Sequence, residues 1–281
     1  DMDLEREMGI TIKANRATIF HEHKGERYML NLLDTPGHVD FHYEVSRALA
    51  ACEGVLLLVD ATQGVQAQTV ANAYMAIEAG LEILMVINKV DLPSAHPEDV
   101  ALEAEQVLGI DASGAMFVSA KTGLGIDELL DAVCERIPAP TGDPDAPLRT
   151  LIYDAKTDVH RGVIVHVRVL DGTGKRGEKI RFMGVGREHI VTEVGKFTPK
   201  PGAVPELTAG EVGYLLAGIK LVSDVNIGDT ITHVSRPTDK SLPGYKQPNQ
   251  MVFCDFYPGP GTTTEELREA MENLWLNDSS F

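Results

Sequence analysis

Leu81-Glu82-Ile83-Leu84-Met85-Val86-Ile87-Asn88-Lys89-Val90-Asp91 is the stretch from which the fold is read. Up to Ile87 it is apolar except for Glu82. A run this apolar and this short reads as a strand covered on both faces. Two runs of the same kind flank it, Gly54–Asp60 (GVLLLVD) before and Ala115–Ser119 (AMFVS) after. The intervening segments, Gln68–Gly80 and Pro97–Leu108, and the following one, Ile126–Ile137, have the pattern of helices. Buried strands alternating with helices predict an α/β domain whose parallel sheet carries helices on both faces. Such sheets place their chemistry at the carboxyl ends of the strands.

Upstream, Tyr28–Leu33 reads as a further buried strand, followed by Asp34-Thr35-Pro36-Gly37-His38. Phe41, Val45, Leu49 and Cys52 then share one helical face. Asp34 can hold Mg²⁺ directly or through water, and Gly37 lets its N–H reach an anionic oxygen. His38 stands where an attacking water would need orienting. A plain strand–turn–helix corner with a capping aspartate accounts for these five residues equally well. Asn88-Lys89-Val90-Asp91 ends its strand in a way that suits a purine. The Asp91 carboxylate can accept two parallel hydrogen bonds from the N1–H and exocyclic amine of guanine. Adenine lacks that pair and would leave the carboxylate unpaired. Asn88 can tie the loop to the base and the Lys89 stem can cover its face. At the end of the next strand, Ser119-Ala120-Lys121 offers a backbone N–H for the guanine O6 and a second lysine beside the base. Each motif alone passes for a turn. Three in fixed order, each at a strand's carboxyl end, point together to a guanine nucleotide.

The rest of the chain sets limits. Its 281 residues suffice for two domains and part of a third. The net charge of −17, from 42 acidic against 25 basic residues, argues against a protein that mainly grips nucleic acid phosphates. The longest aliphatic run, Val55–Val59, stops at Asp60, so no segment spans a membrane, and no signal segment opens the chain. Cys52, Cys134 and Cys254 are widely spaced, which implies a reducing compartment, buried thiols and no structural zinc. His21-Glu22-His23 lacks the helical spacing of a zinc motif. His160, His166, His189 and His233 read as scattered barrel residues, mostly solvated. Residues 1–25 show little apolar period apart from Ile10-Thr11-Ile12.

The expected organisation is an α/β domain over 1–138, a linker over 139–147, an antiparallel β-barrel over 148–236, a linker over 237–248 and the truncated start of an α/β third domain over 249–281. The first linker lies in a stretch with four prolines between Pro138 and Pro147. After it Val163, Val165, Val167 and Val169 alternate with His166 and Arg168 along Gly162–Leu170. Lys179–Met183, His189–Phe197, Glu211–Ala217 and Thr230–His233 are further short strands. The last segment holds a strand, Met251–Tyr257, and a helix with Leu267, Ala270, Met271 and Leu274 on one face behind threonine caps at 262–264.

These motifs resemble those of the translational GTPases. Asp34–Gly37, Asn88–Asp91 and Ser119–Lys121 match that family's third, fourth and fifth nucleotide motifs, and Gly9-Ile10-Thr11 resembles its switch threonine. Histidine after Asp-Thr-Pro-Gly marks the translational branch. Met2–Lys13, Val59–Thr69, Ala217–Thr232 and Leu276–Ser280 resemble one elongation-factor group within it. The resemblance implies that Thr11 and Asp34 serve Mg²⁺, and that Asp34, Thr35, Pro36, Gly37 and His38 face the γ-phosphate. His38 is then the catalytic residue that orients water, with Ile10 one wing of an apolar gate. Asn88, Lys89, Val90, Asp91, Ser119, Ala120 and Lys121 hold the guanine. The same resemblance implies a P-loop-type sheet and a GTP hydrolase that converts GTP to GDP on the ribosome, with rRNA, ribosomal proteins and tRNA nearby, during elongation. Back-translocation, quality control or ribosome assembly are the roles it offers. DNA is not an implied partner, and the protein is expected as a cytoplasmic monomer, with a peripheral place on the cell membrane also open by resemblance. Another factor of the family, a translocase or a BipA-like one, is the alternative, as is a non-hydrolysing ribosome-binding module if the chain is naturally this short.

Two departures stand out. Met8 occupies a position where the family pattern has arginine. The phosphate loop GxxxxGK[ST] is absent from the 281 residues; in this fold it would precede residue 1, so the chain reads as an internal piece that binds GTP weakly by itself. Gly172-Thr173-Gly174-Lys175-Arg176 imitates the loop, but Arg176 replaces its Ser/Thr and the setting is a barrel turn.

Overall fold

The computed structural model describes residues 11, 14–38, 41–158, 160–198, 200–220, 224–243 and 253–277. The chain divides into two compact units, with the division after Ala139.

The first unit opens with a hairpin of β1 (Asn15–His23) and β2 (Glu26–Asp34), paired from His23↔Glu26 to Asn15↔Asp34. Its two-residue turn, Lys24-Gly25, has positive φ at both positions (50° and 81°), the twist that suits a tight hairpin. Two expectations change here. The strand before Asp34 is half-exposed and, among the described strands, pairs only with β1. Residues 15–23, read as lacking a sustained apolar period and strand-like only at His21–His23, form a nine-residue strand. Thr18 is buried on one face, and Ala17, Ile19, His21 and His23 are half-buried on the other, a mixed pattern in which hydrophobic periodicity carried little signal.

The sheet follows as read. β3 (Gly54–Asp60), β4 (Glu82–Asn88) and β5 (Met116–Phe117) are parallel in that order. α1 (His42–Leu49), α2 (Ala67–Glu78), α3 (Pro97–Leu108) and α4 (Ile126–Arg136) alternate with them. Leu57, Val59, Met85 and Ile87 pack against Ala73 of α2 and Val100, Ala101 and Ala104 of α3. On the opposite face Val86 and Val118 meet Leu129 of α4. That second cover is incomplete, for Leu58 stays 57% exposed. Val45 and Leu49 of α1 pack on Met75 of α2. Parallel pairing Asp60↔Asn88 and Ile87↔Phe117 aligns the three carboxyl ends. The register thus decides which side chains meet.

The second unit is antiparallel. β6 (Arg149–Asp158), β7 (Gly162–Asp171), β9 (Lys179–Phe182), β10 (Glu188–Ile190), β11 (Glu193–Phe197), β12 (Pro201–Val204), β14 (Val212–Leu216) and β15 (Thr230–His233) form an eight-stranded sheet in the order β10-β9-β15-β6-β7-β14-β11-β12. β8 (Thr173–Lys175) pairs with β13 (Glu206–Thr208). Val163, Val165, Val167 and Val169 enter the core as their alternation requires. His189–Phe197 is two strands, not one, broken at Val191-Thr192. The opposite face of β7 is not solvated. His166 is 1% exposed, with Nδ1 3.1 Å from the Asp154 carboxylate and its ring edge on Phe197. His189 and His233 are half-buried, the latter paired with Glu178, and only His160 is exposed as read. Gly172 alone joins β7 to β8, so most of Gly172–Arg176, read as a turn, is the strand β8 itself; a Cβ at Gly172 (φ 78°) would press on the Leu148 backbone.

α5 (Thr264–Asn277) is capped by Thr263, whose hydroxyl accepts the Glu266 N–H while the Glu266 carboxylate accepts the Thr263 N–H. Phe253–Tyr257, the described part of the expected strand Met251–Tyr257, forms no strand. Of the three thiols, Cys52 and Cys134 are half-buried and Cys254 is exposed, against the reading that all are buried.

Candidate nucleotide site

The ends of β3, β4 and β5 bring the two base-reading motifs together. Asn88 closes β4, and its side-chain oxygen accepts the Lys89 N–H at 2.7 Å and the Ala120 N–H at 3.1 Å. The Val90 N–H reaches the Val118 carbonyl, and the Val118 N–H the Ile87 carbonyl. One carboxamide therefore staples the loop after β4 to the loop after β5. Ser119 is fully buried: its hydroxyl accepts the Thr122 N–H, its carbonyl the Gly123 N–H, and its own N–H donates to Leu124. With Ala120 engaged by Asn88, the Lys121 N–H, on an exposed residue of the loop after β5, has no partner among the described residues and can meet a carbonyl oxygen of a base. Asp91 is exposed, and its carboxylate has no partner among the described residues.

Lys89 takes a left-handed backbone, φ 66°, which costs a side-chain-bearing residue about 1–2 kcal/mol. Its ammonium pairs with Asp60 Oδ2 at 2.6 Å. The other Asp60 oxygen accepts the Thr62 N–H and hydroxyl at 2.8 and 2.7 Å. Burial pushes the Asp60 carboxyl up, but Lys89 and Thr62 outweigh it and hold it down at about 2. Asp60 and Thr62 were not singled out by local reading. The available signal was an aspartate closing the apolar strand next to the one that ends in Asn88.

Asp34 ends β2 and is exposed, Pro36 is buried, and Gly37 and His38 are exposed. Gly37 is exposed, and a Cβ placed on it would meet nothing within 4 Å. The His38 carbonyl accepts the Phe41 N–H, and the rings of His38 and Phe41 meet edge-on at 6.2 Å. Thr11 is half-buried outside regular structure. Ile10, with Met8 and Gly9, lies outside the described residues. Thr11 and Asp34 supply a hydroxyl and a carboxylate. These hard oxygens fit Mg²⁺, which takes one or two protein ligands and completes its shell with phosphate and water. No all-protein cage of three or more His, Cys, Asp or Glu side chains is present among the described residues.

The family model for the elongation factor Tu GTP-binding domain matches residues 1–139, and that for elongation factor Tu domain 2 matches residues 162–232. Among curated relatives, Elongation factor 4 of Geobacillus thermodenitrificans is 57% identical and that of Bacillus subtilis 56% identical, each over the whole of this chain. The chain spans 46% of the length of each of these relatives.

Proposed function

The chain belongs to the translational GTPase family, and on that premise we propose that it is the guanine-nucleotide and first-barrel portion of a ribosome-dependent GTP hydrolase of the elongation factor 4 type. The observation that carries this reading is the staple made by Asn88, which sets Lys89 and Ala120 and leaves the Asp91 carboxylate exposed and unpartnered. A carboxylate so placed suits the two donors on one edge of guanine and rejects adenine. Asp91, the Lys121 N–H and the stems of Lys89 and Lys121 hold the base. Thr35, Pro36 and Val90 shape the loops around the nucleotide.

The chemistry is in-line attack of water on the γ-phosphoryl group, in which the protein supplies position and charge. His38 orients the water, and the resemblance gives Ile10 the role of one wing of an apolar gate. The Gly37 N–H bonds a γ-phosphate oxygen. When bound, Mg²⁺ neutralises phosphate charge, with Thr11 and Asp34 as its holders. Activity on the elongating ribosome, in the cytoplasm and beside tRNA, is the setting proposed. No helix among the described residues is long and apolar enough to cross a bilayer, and a peripheral place on the membrane is kept as the alternative setting.

The test is a fluorescence titration of the protein at its natural full length with GDP and ADP analogues. Preference for GDP by about 10³-fold or more is expected. Equal affinity for the two bases would overturn the proposal.

A further inference from the structure

The guanine-side motifs leave one well-built feature unused, the carboxylate at the end of β3. Asp60 lies opposite Asn88 in the parallel register, and its side chain is 18% exposed. One oxygen grips the Lys89 ammonium and the other the Thr62 N–H and hydroxyl. The turn beyond it is closed by the Gln63 and Gly64 N–H groups donating to the Asp60 carbonyl. The Ala61 N–H donates to the Asn88 carbonyl, and the Ala61 carbonyl accepts from His96. Asp60 is therefore fixed on both its main chain and its side chain, whereas Lys89 is a half-exposed lysine on a left-handed residue.

A lysine ammonium is a mobile point charge with several rotatable bonds. Unrestrained, its stem would sample many positions, and binding would have to order it at an entropic cost. An anchored carboxylate within hydrogen-bond distance removes much of that freedom before the nucleotide arrives. It also balances the lysine's charge beside a base that is itself neutral.

We propose that Asp60 is a positioning residue of the nucleotide site, holding Lys89 so that its stem lies ready against the base. This rests on the nucleotide reading above. Asp60 does not touch the nucleotide; it acts through Lys89.

A double-mutant cycle tests it on the protein at its natural full length, by GDP titration of wild type, Asp60→Asn, Lys89→Met and the pair. Asp60→Asn is expected to weaken GDP about fivefold, the range of a partly exposed ion pair. In the Lys89→Met background the same change should have no further effect. Asp60→Glu, which keeps the charge, should recover most of the loss. Thr62→Val, which removes one of the two bonds that anchor the far oxygen of Asp60 and leaves the Lys89 pair in place, should weaken GDP by less than Asp60→Asn does. Equal loss from Asp60→Asn with and without Lys89, or a Glu variant as weak as the Asn one, would make Asp60 a structural turn residue and overturn the proposal. Failure of the wild type to bind GDP would instead remove the nucleotide reading on which it stands.

Discussion

Asn88 and Asp91 divide the work of one loop between them. The first satisfies backbone N–H groups on both sides of the site, and the second keeps its carboxylate exposed. Asp91→Asn puts an amide donor where guanine also offers donors, so GDP affinity should fall about 10²-fold or more, while a xanthine nucleotide, with a carbonyl in place of the amine, should gain. Paired titrations with GDP and xanthosine diphosphate check this; parallel losses for both would mean a damaged fold. His38→Ala should abolish ribosome-stimulated hydrolysis and leave GTP affinity within about twofold, because orienting water belongs to the transition state rather than to binding. Equal loss of both would make His38 structural. For Asp60 the sign is fixed by its lowered pKa. The carboxyl is ionised above the ordinary value near 4, so its links to Lys89 and Thr62 contribute fully there. They are lost only as pH falls through about 2. A carbon-detected titration should find that midpoint near 2 in wild type, moving up in Lys89→Met.

At the level of elements, the hairpin that ends in Asp34 is held to α4 by a compact polar cluster. His21 Nε2 and His23 Nδ1 lie 2.7 and 2.8 Å from the same Asp131 oxygen. The second ring nitrogen of His23 and the Lys24 ammonium meet Glu135 at 3.0 and 2.6 Å. Hydrogen bonds from His21 and His23 hold the Asp131 carboxyl below its ordinary value, so this link is present above the usual carboxylate range and is lost as pH falls through the lowered value. Asp131→Ala should speed amide exchange along 15–34 severalfold while leaving β4 protected; uniform exchange changes across the unit would mean that the cluster does not hold the hairpin locally. The cluster also shows where the sequence was opaque. His21 and His23 were visible as an alternating pair, but their partners lie 108–112 residues away, beyond any local pattern. LEILMVIN, by contrast, specified β4 almost to the residue, because a strand covered on both faces needs apolar side chains at nearly every position. The loops that follow β4 and β5 were legible as turns because strand ends favour residues such as Asn88 whose side chains satisfy the backbone. Asp60 was not, because its role arises only from the register between β3 and β4. His166 was misread because alternation reports two faces of β7 but not that the second is also covered.

Over the whole chain, each unit rests on its own core, so damage to one should report on that unit. In the second unit β14 and β11 approach closely through glycines. A Cβ on Gly213 would collide with the Gly195 carbonyl and crowd Leu207. Gly213→Ala should therefore lower the stability of the second unit by about 2 kcal/mol, read by thermal unfolding, without altering nucleotide preference. A net charge of −17 leaves the chain poorly suited to gripping rRNA phosphates over a broad surface, so a ribosome-dependent activity would rely on local contacts. The central claim joins two properties, selection of guanine by the loops after β4 and β5 and a histidine switch that waits for the ribosome. The most direct test is phosphate release from GTP and from ATP by the full-length protein, with and without ribosomes. Slow hydrolysis alone, stimulation by ribosomes of about 10³-fold or more, and no turnover of ATP are expected. A GTP rate unaffected by ribosomes, or ATP hydrolysed as readily as GTP, would contradict it.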